Sequence, residues 1–450
     1  MLQALANSFK IADLRRRILL TLGLIAVYRI GCYIPTPGIN GQALAEFFDK
    51  MASTQGGTLF AVMDLFSGQA LSQCTIFALG IMPAISASII MQLLTVVLPG
   101  LEKLAKEGGE AGRRQINQYA RYLTVGLGVL QALFISLWLE NPAHFDGVAI
   151  VQQPGWGFRL TTIVTLASGT AFIMWLGEQI TQFGVGNGMS ILITAGIISR
   201  VPTALHHLAI LASPGSAAAQ RQLQPVTLAL MVVMLVAVVV AVIAITQGQR
   251  RIPVQYARRV VGRKVYGGQT TYIPIRVNHA GVMPIIFAQS IILFPATVAG
   301  FFPNRALQEM ANWLLRGQVL YTILYSGLII FFAYFYTAIS FNPVEVADNM
   351  RKFGGFVPGI RPGRPTAEFF DHVLTHITLP GAMFLSVIAV LPDLVGKWLQ
   401  IPYSVASFFG GTGLLIIVGV MLDTMRQVES FLLMRHYEGF MRHGRVRGRR

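Results

Sequence analysis

Long apolar segments, separated by shorter polar ones, follow one another along almost the whole chain. A helix needs about 20 apolar residues to cross a bilayer, and ten of these segments are close to that length or longer. The pattern therefore predicts ten membrane-spanning helices, and the even number places both termini on the same side of the membrane. The predicted spans cover residues 18–36, 75–98, 116–138, 158–178, 188–206, 226–246, 279–300, 318–341, 376–396 and 406–427.

One apolar segment, just ahead of the second span, is too short to cross. Residues 56–71 have the sequence GGTLFAVMDLFSGQAL, with Asp64 in the middle and an interruption at Ser67 and Gly68. Non-helical backbone at membrane depth is tolerated only inside protein or beside water. Two interpretations fit this segment. It is either a re-entrant half-helix beside an aqueous path through the protein, or an amphipathic helix on the surface.

The composition agrees with a polytopic membrane protein. The 450 residues are 54% hydrophobic and only 12% charged, whereas soluble domains average about 25% charged residues. Cys32 and Cys74 are the two cysteines, and their spacing fits neither a metal site nor a disulfide framework. We therefore expect two buried thiols, no metal and no cofactor.

The distribution of positive charge predicts the orientation in the membrane. The net charge is +16, and 27 of the 35 lysines and arginines fall in segments that the ten spans place on one side. Cytoplasmic segments of membrane proteins carry this excess, so both termini are predicted to be cytoplasmic. The positively charged segments are residues 1–17, 98–121, 247–278, 342–376 and 426–450.

Two of the cytoplasmic loops are longer than simple connections require. Residues 247–278 alternate β-branched and basic residues, with Gly267 and Gly268 at a turn, which predicts a hairpin-like arm. Residues 342–375 are rich in proline and glycine around Arg361 and Arg364, which predicts a stiff series of turns. Long ordered loops are usually functional, and exposed arginines bind phosphates or acidic protein surfaces. These loops are candidates for docking a partner, although positive charge also serves simply to set topology.

The motifs of common catalysts are missing from the sequence. It contains no GxxxxGK[ST] phosphate loop, no HExxH zinc motif and no GxSxG elbow. Ionisable residues are few within the spans, and Arg29, Glu178 and Asp423 among them lie towards span ends. Ion-coupled transporters and intramembrane proteases place such groups at mid-membrane. Their scarcity argues against both classes, and an energy source, if one is needed, must come from a partner. A secondary transporter of small solutes is kept as the main alternative function.

Six segments in order along the chain match the motifs of a known family. The chain resembles the SecY family, which supplies the channel subunit of the bacterial Sec protein translocon. The segments are FALGIMPAISASIIMQLLT (77–95), GVGNGMS (184–190), RRIPVQYARR (250–259), YIPIRVNHAGVMPIIFA (272–288), NPVEVADNMRKFGGFVPGIRPG (342–363) and FGGTGLLIIVGVMLD (409–423).

The resemblance implies an all-α, polytopic fold of ten transmembrane helices in two inverted, pseudo-symmetric halves, plus a short re-entrant plug helix. The halves would be residues 1–206 and 226–427, joined by an outer hinge loop at 207–225, with a basic cytoplasmic tail at 428–450. A pore would lie between the halves. A lateral gate would open between spans two and three on one side and spans seven and eight on the other.

The resemblance also implies a function and partners. The chain would conduct unfolded secretory polypeptides across the plasma (inner) membrane and release membrane-protein segments sideways into the bilayer, with no catalysis of its own. Signal peptides and nascent chains would be its substrates. The implied partners are the small membrane subunits SecE and SecG, the motor ATPase SecA and the ribosome.

A pore ring and a plug follow from the same resemblance. Ile81 and Ile85 are four residues apart, as are Met189 and Ile193, so each pair shares one helix face. Without the resemblance, apolar residues at mid-span would indicate packing or lipid contact. The implied ring is Ile81, Ile85, Met189, Ile193, Met283 and Ile416. The implied plug covers residues 58–71 and includes Leu59, Phe60, Met63, Asp64, Leu65 and Phe66.

The docking and gate residues complete the implied site. Gln92 and Gln289 lie in gate helices, where they either contact each other across the gate or are solvated or satisfied locally. Arg361, between proline and glycine turns, is the strongest docking candidate. The implied docking residues for the ribosome and the motor are Arg250, Arg251, Arg258, Arg259, Arg263, Lys264, Arg351, Lys352 and Arg361.

Overall fold

A computed structural model describes most of the chain, and the fold is predominantly helical. Apart from five short β-strands, the regular elements of the described residues are α-helices. The described residues are 11–53, 64, 67–142, 145, 148–203, 205–206, 225–256, 259–261, 264–266, 270–301, 319–399 and 412–443.

Each predicted span coincides with a helix among the described residues. Taken in order, the ten spans correspond to α1, α3, α5, α6, α7, α8, α9, α10, α12 and α13. The helices are α1 (Ala12–Gly31), α2 (Gly41–Ser53), α3 (Met82–Val97), α4 (Pro99–Glu107), α5 (Gly109–Glu140), α6 (Trp156–Phe183), α7 (Gly188–Ile198), α8 (Pro225–Gln247), α9 (Met283–Phe301), α10 (Val319–Ser340), α11 (Pro343–Lys352), α12 (Arg364–Leu399) and α13 (Thr412–His443).

Fewer than ten of these helices could cross a bilayer by length and apolar composition alone. Within the described residues five qualify, and a sixth does if α3 and α4 count as one span bent by 96°. The helix around α7 and the described part of α9 are apolar but shorter, and α1 carries Asp13 and four arginines. The crossing of the membrane by all ten helices therefore stays a prediction.

Several span boundaries differ from the prediction for local reasons. Residues 75–81 form turns instead of the first part of a helix. Gly80 has a positive φ of 57°, and α3 starts at Met82 with a proline in its first turn, where the missing N–H group costs nothing. The helix α12 starts at Arg364, twelve residues before the predicted span. Arg364 therefore begins a helix and does not belong to the turns.

The two long loops that are predicted to be cytoplasmic form a small β-structure, and the predicted hairpin is confirmed. Strand β1 (Gln249–Tyr256) pairs antiparallel with β4 (Thr270–Arg276), with Arg251 opposite Pro274. The arm carries a second hairpin, β2 (Arg259–Val261) with β3 (Lys264–Tyr266), while Gly267 and Gly268 lie outside the described residues.

The two cytoplasmic loops are joined in one sheet, which the sequence did not predict. Strand β5 (Gly355–Phe356) adds to the other edge of β1, so that the order is β4-β1-β5. A separate hydrophobic core lies under this sheet, and residues of the sheet, α11 and α12 form it together. Its buried members are Ile252, Val254, Ile275, Met350, Val357, Phe370, Val373 and Leu374.

The membrane helices share one large hydrophobic core and divide into two groups. The first group contains α1, α3, α5, α6 and α7, and the second contains α8, α9, α10, α12 and α13. The main contacts between the groups run along two seams. At one seam α3 and α5 contact α9, and at the other α7 contacts α13. This is the arrangement of two halves around a central axis.

Candidate functional site

Buried polar contacts bind the end of the short segment ahead of α3 inside the protein. The carboxylate of Asp64 is 3% exposed and forms an ion pair with Arg200, just beyond α7. Its other oxygen accepts a hydrogen bond of 2.8 Å from the backbone N–H of Ser72. The backbone carbonyl of Asp64 also accepts hydrogen bonds from Ser67 and Gln69. A buried, fully partnered carboxylate does not fit an amphipathic surface helix, and the re-entrant interpretation is favoured.

The helix α1 holds the same segment from the other side. The hydroxyl of Tyr28 donates to the carbonyl of Ser67 at 3.3 Å, and the Arg29 guanidinium donates to the carbonyl of Gly68 at 3.0 Å. Gly68 has a positive φ of 67°. A Cβ atom there would lie 2.9 Å from the Cα of Gly196 in α7. Only glycine permits this close approach, so the segment rests directly on α7.

The implied pore ring residues all belong to the central core. Ile81, Ile85, Ile193 and Ile416 are at most 6% exposed. Met189 and Met283 are half-buried and pack against the same core. The residues come from α3, α7, α9 and α13 and from the position just ahead of α3, and these helices line the two seams between the halves. All six thus belong to the one hydrophobic core that the membrane helices share, and their arrangement as a ring stays a prediction.

The turn between α6 and α7 is held by side chains from both halves. Thr21 of α1 accepts a hydrogen bond of 3.1 Å from the N–H of Val185, and Arg17 donates to the carbonyl of Gly184 at 3.5 Å. The side-chain oxygen of Gln427 in α13 accepts a hydrogen bond of 2.8 Å from the N–H of Gly186. Because α1 and α13 belong to different halves, this turn (residues 184–187) is bound by both of them and connects the halves.

The two gate glutamines are placed differently from each other. Gln289 in α9 is 6% exposed, and its carbonyl oxygen has no hydrogen-bond partner among the described residues. Gln92 in α3 is half-buried. A hydrogen bond between the two amides is therefore not formed in this structure, although α3 and α9 are in contact. The alternative, an amide satisfied locally, does not hold for this oxygen of Gln289 either.

The basic residues of the cytoplasmic loops lie on an exposed surface. Arg250 and Arg251 are exposed on β1, and Arg351 and Lys352 are exposed at the end of α11. Strand β5 follows two residues after α11 and pairs with Gln255 and Tyr256 of β1, so the helix that carries one group of cations is connected to the sheet that carries the other. The basic surface is defined here as the exposed residues Arg250, Arg251, Arg351, Lys352 and Arg361.

Arg361 projects from a tightly defined turn. Gly359 and Gly363 on either side have positive φ values of 85° and 104°. The hydroxyl of Thr366 donates to the backbone carbonyl of Arg361 at 2.8 Å. The backbone is thus fixed while the guanidinium is exposed. This geometry suits recognition of an anionic partner, because little conformational entropy is lost on binding.

Some of the implied site residues cannot be placed. Arg259 and Lys264 lie in β2 and β3, without a description of their side chains. The remaining ones lie outside the described residues, as does the proposed hinge at 207–224. These remaining site residues are Leu59, Phe60, Met63, Leu65, Phe66, Arg258 and Arg263.

Sequence reasoning missed the residues that hold the plug segment and the turn. Arg200 is 136 positions from Asp64, and a lone arginine near an outer span end carries no signal of its partner. Gln427 and Thr21 are likewise ordinary polar residues near span ends. Residues 184–190 match a motif of the family, which pointed to this turn as important. The match did not indicate which side chains bind the turn.

Comparison with known proteins gives consistent matches over the chain. A family model described as SecY matches residues 75–425. The chain is 46% identical over 442 residues to the protein translocase subunit SecY of Escherichia coli strain K12, covering 97% of this chain and 96% of that protein. It is 43% identical over 434 residues to the subunit of the same name in Aquifex aeolicus strain VF5, covering 96% and 98%.

A solved structure matches the fold. It is described as the structure of a protein conducting channel, and it aligns with a TM-score of 0.63 at 17% sequence identity. The alignment covers 92% of each chain. The two chains therefore share their overall fold.

Proposed function

The chain belongs to the SecY family, and we propose that it is the passive, polypeptide-conducting subunit of a Sec translocon. The observation that carries the proposal is the near full-length match to protein translocase subunits, on a fold whose two halves enclose an apolar centre. Unfolded secretory chains pass between the halves, and membrane-protein segments leave sideways into lipid. The chain itself catalyses no reaction.

The six apolar ring residues form the constriction of this channel. A closed apolar constriction resists ions because water is unstable inside it. Methionine is flexible and polarisable, so Met189 and Met283 adapt to the irregular surface of a passing polypeptide. The plug, residues 58–71, lies on the outer side of the ring and closes the outer funnel.

The two seams have different roles in this proposal. The seam of α3 and α5 against α9 is the lateral gate, through which signal peptides reach the bilayer. Gln92 and Gln289 line it. The seam of α7 against α13 stays closed. The halves are residues 1–206 and 226–427, hinged by the outer loop at 207–225.

The basic surface receives the partner that supplies energy. Ribosomal RNA presents dense phosphate charge, and arginine binds phosphate through two parallel hydrogen bonds. The same surface receives the motor ATPase SecA. The small subunits SecE and SecG bind on the membrane side. With the positively charged loops inside, both termini lie in the cytoplasm and the protein resides in the inner membrane.

Site-specific crosslinking tests the proposal. A cysteine replaces Ile85 or Ile193, and a second cysteine is placed in a stalled secretory chain long enough to reach mid-membrane. Val240, 60% exposed on α8, is the lipid-facing control position. We expect crosslinks at both ring positions and none at Val240. A parent chain with only the buried Cys32 and Cys74 reports the background.

The result that contradicts the proposal is equally definite. If the stalled chain crosslinks to the basic surface but not to Ile85 or Ile193, then polypeptide does not pass between the halves. The solute-transporter alternative would then be preferred.

A further inference from the structure

The Asp64–Arg200 ion pair joins the plug segment to a helix of the pore. Arg200 lies two residues beyond the end of α7, and its backbone N–H donates to the carbonyl of Ile197 at 3.1 Å. Nearby, the amide of Gln69 donates to the hydroxyl of Thr203 at 3.4 Å. The outer end of α7 therefore binds the plug segment, while the inner part of the same helix carries two of the ring residues.

The two partners of this pair are in different environments. The side chain of Asp64 is 3% exposed, and that of Arg200 is 26% exposed. In the part of the chain that the structure describes, Arg200 is the one cation within ion-pair distance of this carboxylate. A buried carboxylate that loses its partner is strongly unfavourable, whereas a partly hydrated guanidinium is much less so.

The other contacts of the segment are weaker or are formed by backbone groups. The bonds from Tyr28 and Arg29 end on the carbonyls of Ser67 and Gly68, and water can replace those donors if the segment moves. The charge of Asp64 has no such substitute inside the protein. The ion pair is therefore the contact that most strongly favours the seated position.

We propose that Asp64 and Arg200 form a latch that holds the plug seated, with Arg200 as the positioning residue; this inference rests on the proposed function. The plug leaves only when the carboxylate exchanges Arg200 for the water of the outer funnel. The strength of the pair then sets how well the idle channel excludes ions, and how strong a signal peptide must be to open it.

The exposures of the two side chains predict an asymmetry. Arg200→Gln leaves a buried carboxylate unpaired, so it destabilises the seated plug directly. Asp64→Asn removes the charge and keeps a polar group that still accepts from Ser72, so its effect is smaller. Arg200→Lys keeps the charge, and the plug stays seated. If only shape complementarity held the plug, the ion leak would not depend on the charge of the residue at position 64 or 200.

The outer side offers a matched control pair. Glu140 and Arg159 lie 2.6 Å apart, with side-chain exposures of 9% and 28%, close to those of the latch. They join α5 to α6 and belong to no part of the plug. Glu140→Gln and Arg159→Gln therefore remove an equivalent ion pair without touching the plug.

The test uses the complete translocon, purified with its small subunits and reconstituted in liposomes. Two quantities are measured: the ion leak of idle channels, and the motor-driven import of a precursor with an intact or a defective signal sequence. We expect Arg200→Gln to raise the leak and the import of the defective precursor by at least about tenfold, and Asp64→Asn by less. Import of the intact precursor stays within about twofold for Arg200→Gln and Arg200→Lys, since Arg200 lies beyond the end of α7 and outside both the ring and the plug.

The double variant Asp64→Asn with Arg200→Gln isolates the interaction. If the two residues act as one latch, its leak matches that of Asp64→Asn alone and does not reach the product of the two single effects. Wild-type leak in both single variants, with assembled complex, overturns the latch. Equal leak in the Glu140 and Arg159 controls overturns it too, because any outer ion pair would then serve.

Two further outcomes keep the inference separate from the proposed function. If the wild-type complex imports no precursor, the proposed function fails, while the idle leak still tests the seal. If Arg200→Gln does not assemble, the comparison of Asp64→Asn with Glu140→Gln decides: a raised leak in the first alone supports the latch, and equal values overturn it.

Discussion

The contact between α6 and α7 leads to a prediction about a single methyl group. Gly188 is the first residue of α7, and a Cβ atom added there would lie 1.9 Å from the carbonyl oxygen of Gly177 in α6. Ordinary van der Waals contact needs at least 3.4 Å, so the helices must separate locally by about 1.5 Å. The obstacle is backbone, which cannot rotate out of the way as a side chain can.

We therefore expect Gly188→Ala to be strongly destabilising for its size. Over-packing of a close contact typically costs about 1–3 kcal/mol, and a backbone obstacle places this variant towards the upper end. The added methyl also displaces the start of α7, and with it the ring residue Met189. The crosslinking yield at Ile193 should fall together with the stability.

Thermal unfolding of the purified complex in detergent measures this effect. Gly157→Ala in the neighbouring helix α6 is the matched control, since a Cβ atom at Gly157 has no heavy atom within 4 Å. There the higher helix propensity of alanine, worth up to about 1 kcal/mol, predicts unchanged or increased stability. If Gly188→Ala unfolds at the same temperature as the wild type, the close approach of α6 and α7 is wrong.

Three shorter predictions concern the cytoplasmic side. Arg361→Glu should block motor-driven import while the protein remains folded and inserted. Arg364→Glu loses only an exposed ion pair with Glu368, so import by this control variant should be normal, and import assays distinguish the two. Val254→Asp introduces a charge at a position that is 1% exposed, so limited proteolysis should cut the arm between α8 and α9 much faster. Gln427→Leu leaves the N–H of the turn at Gly186 without its acceptor, and thermal unfolding should show a loss of about 1–3 kcal/mol.

Hydrophobic pattern alone predicted the membrane helices well, because length and apolarity are local properties. It placed a helix correctly at every span, and the alternation in 249–276 predicted the β1–β4 hairpin. The starts of α3 and α12 were wrong by several residues. Gly80 has a positive φ, so the turns persist up to Ile81 and α3 begins only at Met82. The start of α12 packs under a sheet that the pattern did not predict.

The contacts that define the candidate site could not be predicted in the same way. Strand β5 has only two residues, too few for any periodicity. The pairing of the two loops in one sheet could therefore not be predicted from the pattern. Asp64 was noticed as a charge in an apolar segment, but its partner Arg200 lies far along the chain. Pairing of distant residues depends on how the helices pack, which apolar periodicity does not specify. The ring residues came from the family resemblance and not from their own pattern.

The three-stranded sheet also has a mechanical consequence. Strand β1 follows α8 after one residue, β4 leads towards α9, and β5 lies between α11 and α12. Every strand of the sheet is thus continuous with helices of the second half, and none with the first. Any force that a bound partner exerts on these strands is therefore transmitted along the chain to helices of the second half before it reaches the first.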